Sequence, residues 1–141
     1  MTQGFEIVYA ENMEEHYLQQ IRLEIEKEAK NKKDFDKSIP FSFVCLDKKK
    51  NFIAGISGVS FYGALFVDVI GVSENFREKR YGTLLMEKAE NLAKERNYKF
   101  IYLITMDFEA KPFYEKLGYK IEFAMHGYKK DSIMYYLRKN L

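Results

Sequence analysis

The sequence predicts an α/β (α+β) fold with a mixed, mostly antiparallel central sheet flanked by helices. Three observations predict it. Segments of strand and helix character follow one another as β-α-β-β-β-α-β-α-β-β. Some strands are joined by tight turns and others by whole helices, and that mixture of hairpins and crossovers gives a mixed sheet with helices on its faces. The composition, 47% hydrophobic and 31% charged over 141 residues, is that of one globular domain, residues 1–141, able to bury a real core.

The elements read in order as follows. "FEIVYA" (5–10) has strand character and opens the chain. Residues 11–33 have helical period: Met13, Tyr17, Ile21 and Ile25 recur every four residues, with Leu18 beside them. "DFDKSIP" (34–40) is a loop. "FSFVCLD" (41–47) and "FIAGISGVSFYG" (52–63) read as a strand pair around a "KKKN" turn. The lysines at 48–50 are then a solvated hairpin tip. "ALFVDVIGV" (64–72) is a further strand, followed by a basic segment and a helix to about Asn97. "KFIYLITM" (99–106) is apolar enough to lie inside a sheet. "EAKPFYEKLG" (109–118) is a short helix, with Pro112 in its first turn and Gly118 as its stop. Residues 119–128 and 132–139 read as closing strands.

Several function classes are disfavoured early. A net charge of +2 is too small to argue for nucleic acid. The single cysteine, Cys45, allows no internal disulfide and lies in an apolar run, where it reads as a small buried hydrophobe. His16 and His126 are far apart, so no metal site is expected. "MTQGFEIVYAEN" lacks the pattern of a signal peptide. No apolar run approaches the ~18–20 residues of a membrane span. The expectation is a cytoplasmic protein without a membrane or nucleic-acid partner, monomeric or homodimeric.

The informative stretch is "FREKRYGTLLMEKAENLA" (76–93). A strand leads through a short basic loop into a helix start. The first turn of a helix has N–H groups without intrahelical partners, and the dipole adds partial positive charge there. Together these make an anion site. Arg77, Lys79 and Arg80 precede or enter that turn, Gly82 leaves room for close approach, and Thr83 offers a hydroxyl. Leu84, Leu85, Ala89, Leu92 and Ala93 would dock the helix on the sheet. A basic helix start is equally what an ordinary solvated helix presents, and local composition leaves both readings open. No Walker loop and no dinucleotide fingerprint is present.

"VSENFREKRYGTLLM" resembles the acetyl-CoA motif of the GNAT N-acetyltransferase superfamily: valine, four residues, Arg/Gln-x-x-Gly-x-Gly/Ala, then a helix. Val72, Arg77 and Gly82 fall on that motif. Arg80 stands where the motif has its first glycine, and arginine resists positive φ. "EAKPFYEKLGYKIE" resembles the family's second signature, and one strand separates the two as expected.

The resemblance implies that acetyl-CoA lies where two neighbouring parallel strands, 64–72 and 99–106, splay apart. Backbone groups near Ile70 and Val72 would pair with the pantetheine arm. The N–H groups of Glu78, Lys79, Arg80, Tyr81, Gly82 and Thr83 would hold the pyrophosphate, with Arg77, Phe113 and Tyr114 also binding the cofactor. Backbone groups at Ile70 or Gly71 would polarise the thioester carbonyl. A primary amine of a small molecule or peptide would attack directly, in a ternary complex. Tyr114 is the expected general acid, although simple packing beside Phe113 and Leu117 is the plainer alternative. Asp68 is the candidate base. By the period of two it shares a face with Phe66, Ile70 and Val72; a hydrogen bond to a neighbouring loop is the alternative role. Asp107 and Glu109 are read chiefly as caps of the helix from 109. A domain that holds acyl-CoA as a sensor, without transfer, is the competing function. Which amine is used is not legible, because the acceptor side, expected from the N-terminal helix, the 34–40 loop and the last strands, carries no diagnostic pattern.

Overall fold

A computed structural model describes residues 4–33, 35 and 37–141. Its contacts divide the chain into two units, Met1–Lys37 and Ser38–Leu141. The first holds helix α1, Glu15–Lys33. Glu15 in its first turn and Lys30, Lys32 and Lys33 in its last complement the helix dipole. Glu24–Lys27 and Glu28–Lys32 pair along its surface. Residues 5–10, expected as a strand, are not one. Strand propensity is realised only where a backbone partner completes the ladder, and no described ladder includes this segment. Of the 34–40 loop, Asp34 and Asp36 lie outside the described residues.

The second unit is built on strands β1 (Pro40–Leu46), β2 (Phe52–Phe61), β3 (Ala64–Val72), β4 (Phe100–Met106), β5 (Lys120–Met125) and β6 (Met134–Asn140). They form one sheet in the order β1-β2-β3-β4-β6-β5. All neighbours are antiparallel except β3 and β4. That parallel pair is joined by α2 (Tyr81–Glu95), the crossover that parallel strands require. The short α3 (Lys111–Lys116) follows β4; Pro112 sits in its first turn and Gly118, at φ +96°, ends it.

The core lies between α2 and one face of the sheet. Leu85, Met86, Ala89 and Ala93 of α2 pack on Ile56, Leu65, Val67, Ile101, Leu103 and Leu137. Each of the larger ones, the leucines, isoleucines, Val67 and Met86, contributes roughly 1.5–3 kcal/mol when buried. Leu84, expected on this face, is instead exposed, and Met86 takes the buried place. On the opposite face, the Phe66 ring lies 5.0 Å from that of Tyr102 and 6.4 Å from that of Phe61.

Candidate functional site

The parallel pair is short. Ala64 to Val67 pair with Phe100 to Leu103, and there the ladder stops. Both strands continue: β3 stays on β2 as far as Val72, and β4 stays on β6 as far as Met106. From Asp68 onward β3 has no strand on its β4 side among the described residues. The result is a cleft edged by peptide groups, the expected splay.

A β-bulge sits where the strands part. Ser57 opposes Val69 and Gly58 opposes Val67, so Asp68 is the extra residue. Gly58 is required there, because a Cβ would collide with the Phe66 carbonyl and the Phe41 ring. The bulge corrects the face expected for Asp68. Leu65 and Val67 lie in the core, and beyond the bulge Ile70 and Val72 pack against that same core. Phe66 therefore does not share a face with Ile70 and Val72. The extra residue shifts the alternation by one. Asp68 is left exposed at the start of the cleft, and no described side chain pairs with its carboxylate.

The C-terminal end of β3 leads through a 3₁₀ turn, Glu74–Phe76, into the basic loop and α2. The start of α2 is therefore tied by ten residues or fewer to the open end of the cleft. Two residues of this loop are left-handed: Glu78 at φ +60° and Arg80 at φ +70°. Arg80 adopts the conformation that a glycine takes without cost, at roughly 1–2 kcal/mol for a residue with a Cβ. It occupies the N-cap of α2, which no side chain caps. The N–H groups of residues 78–83 find no acceptor among the described residues; the first hydrogen bond of the helix runs from the Leu84 N–H to the Arg80 carbonyl. Successive unpaired N–H groups in alternating backbone conformations form an anion-binding concavity.

The side chains around this concavity differ from expectation in detail. Arg77 turns back, its Nε donating to the Val72 carbonyl at 3.2 Å. It fastens the loop to β3 and uses one of the peptide groups expected to face a ligand. The Lys79 ammonium lies 5.7 Å from the centre of the Phe76 ring. Tyr81 packs toward the core, edge-on to Phe76. The missing side chain of Gly82 makes room for α3: a Cβ there would stand 3.2 Å from Phe113 Cζ. At Gly71 a Cβ would meet nothing within 4 Å, so that face of β3 is uncovered there.

Tyr114, on α3, is 6% exposed. Burial first, and the Glu109 carboxylate second, push its phenol up to about 12. Glu109 does not cap α3, whose N-cap is Ala110 without a side-chain cap. Instead its Oε1 accepts from the Met106 N–H at 2.9 Å, closing the end of β4. Asp107 also serves β4: its N–H donates to the Ile133 carbonyl at 2.9 Å and its Oδ1 accepts from the Ile133 N–H at 3.2 Å. The Thr105 hydroxyl accepts from the Ala110 N–H. Sequence reasoning missed these three ties, because each depends on how the chain turns after β4. It also missed Glu90 and Tyr119, which lie buried behind Tyr114.

The comparisons agree with this geometry. The model of the "Acetyltransferase (GNAT) family" matches residues 5–119. An uncharacterised N-acetyltransferase of Chlorobaculum tepidum is 30% identical over 73 residues, which are 50% of this chain and 45% of that protein. The curated relatives it matches are spanned over less than half their length. An acetyltransferase structure from Bacillus cereus superposes with a TM-score of 0.77 at 23% identity, covering 95% of this chain and 98% of that one. An aminoglycoside 6'-N-acetyltransferase complexed with coenzyme A superposes with a TM-score of 0.66 at 21% identity, over 72% of each chain. At these identities the structural likeness is one of fold.

Proposed function

The chain belongs to the GNAT acetyltransferase family, and from that premise we propose that it transfers the acetyl group of acetyl-CoA to a primary amine by direct attack in a ternary complex. One observation carries the reading. The parallel strands part beyond Val67 and Leu103 at the end where the N–H groups of residues 78–83, leading into and opening α2, have no acceptor among the described residues. An extended arm with a polyanionic head fits a cleft edged by peptide groups that leads to an uncapped helix start. A structural neighbour is complexed with coenzyme A, which supports the assignment.

In this reading the N–H groups of 78–83 hold the pyrophosphate, and Lys79 and Arg80 add charge without needing direct contact. The β3 backbone from Asp68 to Val72 lines the pantetheine arm. When bound, acetyl-CoA supplies an activated acetyl group. An N–H near Ile70 or Gly71 donates to the thioester oxygen as negative charge gathers on it. Asp68, exposed at the bulge, attracts the cationic amine and accepts its proton, directly or through water.

Tyr114 donates to the sulfur. At about 12 its phenol is protonated throughout the neutral range, so the donor is always loaded. Complete transfer to a free thiolate of ordinary pKa ~8.5 is uphill by roughly 5 kcal/mol, so the hydrogen bond to the departing sulfur is the larger contribution. The acceptor is a small-molecule or peptide amine.

The test is a coupled CoA-release screen with acetyl-CoA and a panel of antibiotics, polyamines, amino acids and peptides. Amine-dependent release is expected for at least one class. Tight acetyl-CoA binding with no release across the panel would favour the non-catalytic sensor.

A further inference from the structure

Behind Tyr114 lies a buried polar cluster that the proposed reaction does not use. Glu90 of α2 is 6% exposed and pairs with Lys139 of β6. The Lys139 ammonium stands 5.8 Å from the centre of the Tyr119 ring. The Lys139 stem also runs against Gly118, where a Cβ would meet its Cε at 3.5 Å. Tyr119 is 2% exposed, and its hydroxyl has no hydrogen-bond partner among the described residues. Tyr119 holds Tyr114 in two ways. Its N–H donates to the Tyr114 carbonyl at 3.1 Å. Its ring meets that of Tyr114 edge to face, with centroids 6.1 Å apart and planes at 69°.

Stability does not account for these residue types. The Glu90 carboxylate is buried and the Lys139 ammonium partly so, and such a pair is often no better than apolar side chains of the same volume. Residues that break the packing rules without a local gain are expected beside functional groups. The functional group touching this cluster is Tyr114.

We propose that Tyr119, supported by the Glu90–Lys139 pair, is a positioning residue that fixes the direction of the Tyr114 hydroxyl. The inference rests on the reading of Tyr114 as the donor to sulfur. The chain of contact runs from α2 through β6 and Tyr119 to α3, so the donor is referenced to the same helix whose first turn forms the anion concavity. Burial first, and then the Glu90 carboxylate, push the Tyr119 phenol far above the ordinary tyrosine range, so it stays a neutral group at every working pH.

The test is a double-mutant cycle on the full chain. Because the contact with Tyr114 runs through the Tyr119 ring, Tyr119→Leu is expected to lower kcat about fivefold with KM for acetyl-CoA within about twofold, while Tyr119→Phe, which keeps the ring, is expected to retain kcat. In a Tyr114→Phe background Tyr119→Leu is expected to have no effect on kcat, because there is no hydroxyl left to direct. An unchanged kcat in Tyr119→Leu, or a loss that persists undiminished without the Tyr114 hydroxyl, overturns the proposal. If Tyr114→Phe alone keeps full turnover, the donor reading fails and this inference with it. If Tyr114→Phe is impaired while Tyr119→Leu is normal, only the positioning role is lost.

Discussion

Two basic loops of this molecule carry similar charge and do opposite things with their backbones. The tip at 47–51 contains Lys48, Lys49 and Lys50; the loop at 77–80 contains Arg77, Lys79 and Arg80. Each holds left-handed residues with a Cβ: Lys50 at φ +68° in the first, Glu78 and Arg80 in the second. In the tip, Asp47 satisfies the turn. Its Oδ1 accepts from the N–H groups of Lys49 and Asn51 at 2.8 Å, and its carbonyl accepts from the Lys50 N–H at 3.0 Å. The bonds to its carboxylate, led by the one from the Asn51 N–H, hold its carboxyl below the usual range. In the 77–80 loop no described side chain plays that part, and the six N–H groups of residues 78–83 find no acceptor among the described residues. Charge is therefore the wrong discriminator between a solvated turn and a binding loop. The useful signal is whether the strained backbone satisfies itself.

The comparison can be broken first at Arg80. An aspartate tolerates the left-handed backbone there better than arginine and suits the positive end of the α2 dipole, so Arg80→Asp should hold or raise the thermal midpoint. It would also place a carboxylate in the concavity and weaken acetyl-CoA binding by about tenfold or more. Calorimetry and a thermal melt on one variant check both halves; normal affinity would remove the loop from the site.

Next in size is Tyr114→Phe, which should lower turnover by about tenfold while leaving acetyl-CoA affinity within about twofold. The pH profile sharpens the same point. With the phenol at about 12, activity should show no descending limb near the ordinary tyrosine value of ~10. The sign for stability follows. The raised folded pKa contributes stability that is complete below the unfolded value and is lost as pH rises from there toward about 12. Alkaline melts of Tyr114→Phe should therefore fall less steeply.

A smaller effect is expected for Arg80→Gly. Removing the Cβ relieves the left-handed strain, so stability should be unchanged or higher by up to ~1 kcal/mol. Loss of one charge should weaken acetyl-CoA binding only about two- to threefold. The smallest effect belongs to the tip: Asp47→Ala should lower the thermal midpoint slightly and leave acetyl-CoA binding unchanged, and the triple change of Lys48, Lys49 and Lys50 to alanine should alter neither binding nor turnover.

The mixed sheet, its crossover helix and the parting of the parallel pair were legible from element order and the two signatures. The strand at 64–72 was bounded exactly, because its apolar run ends at the turn-rich segment that follows. Legibility failed wherever a long-range contact decides. The bulge at Asp68 depends on Gly58 approaching Phe66 from the neighbouring strand, and a period-two reading of β3 alone cannot register it. Gly82 was read as space for a ligand, whereas Phe113, thirty-one positions later, fills that side. The segment 5–10 had the composition of a strand without a described partner. Arg80 adopts positive φ with no local signal, because the surrounding loop imposes it. The cluster of Glu90, Tyr119 and Lys139 assembles from three separate parts of the chain, and nothing near any one of them announces it.

The most direct test of the central claim follows backbone amide resonances as acetyl-CoA is added to the isotopically labelled chain. The account expects the largest shifts at the amides of residues 78–83, with further shifts along 68–72 and none at Lys48–Lys50. Saturable binding that leaves 78–83 unmoved would contradict it.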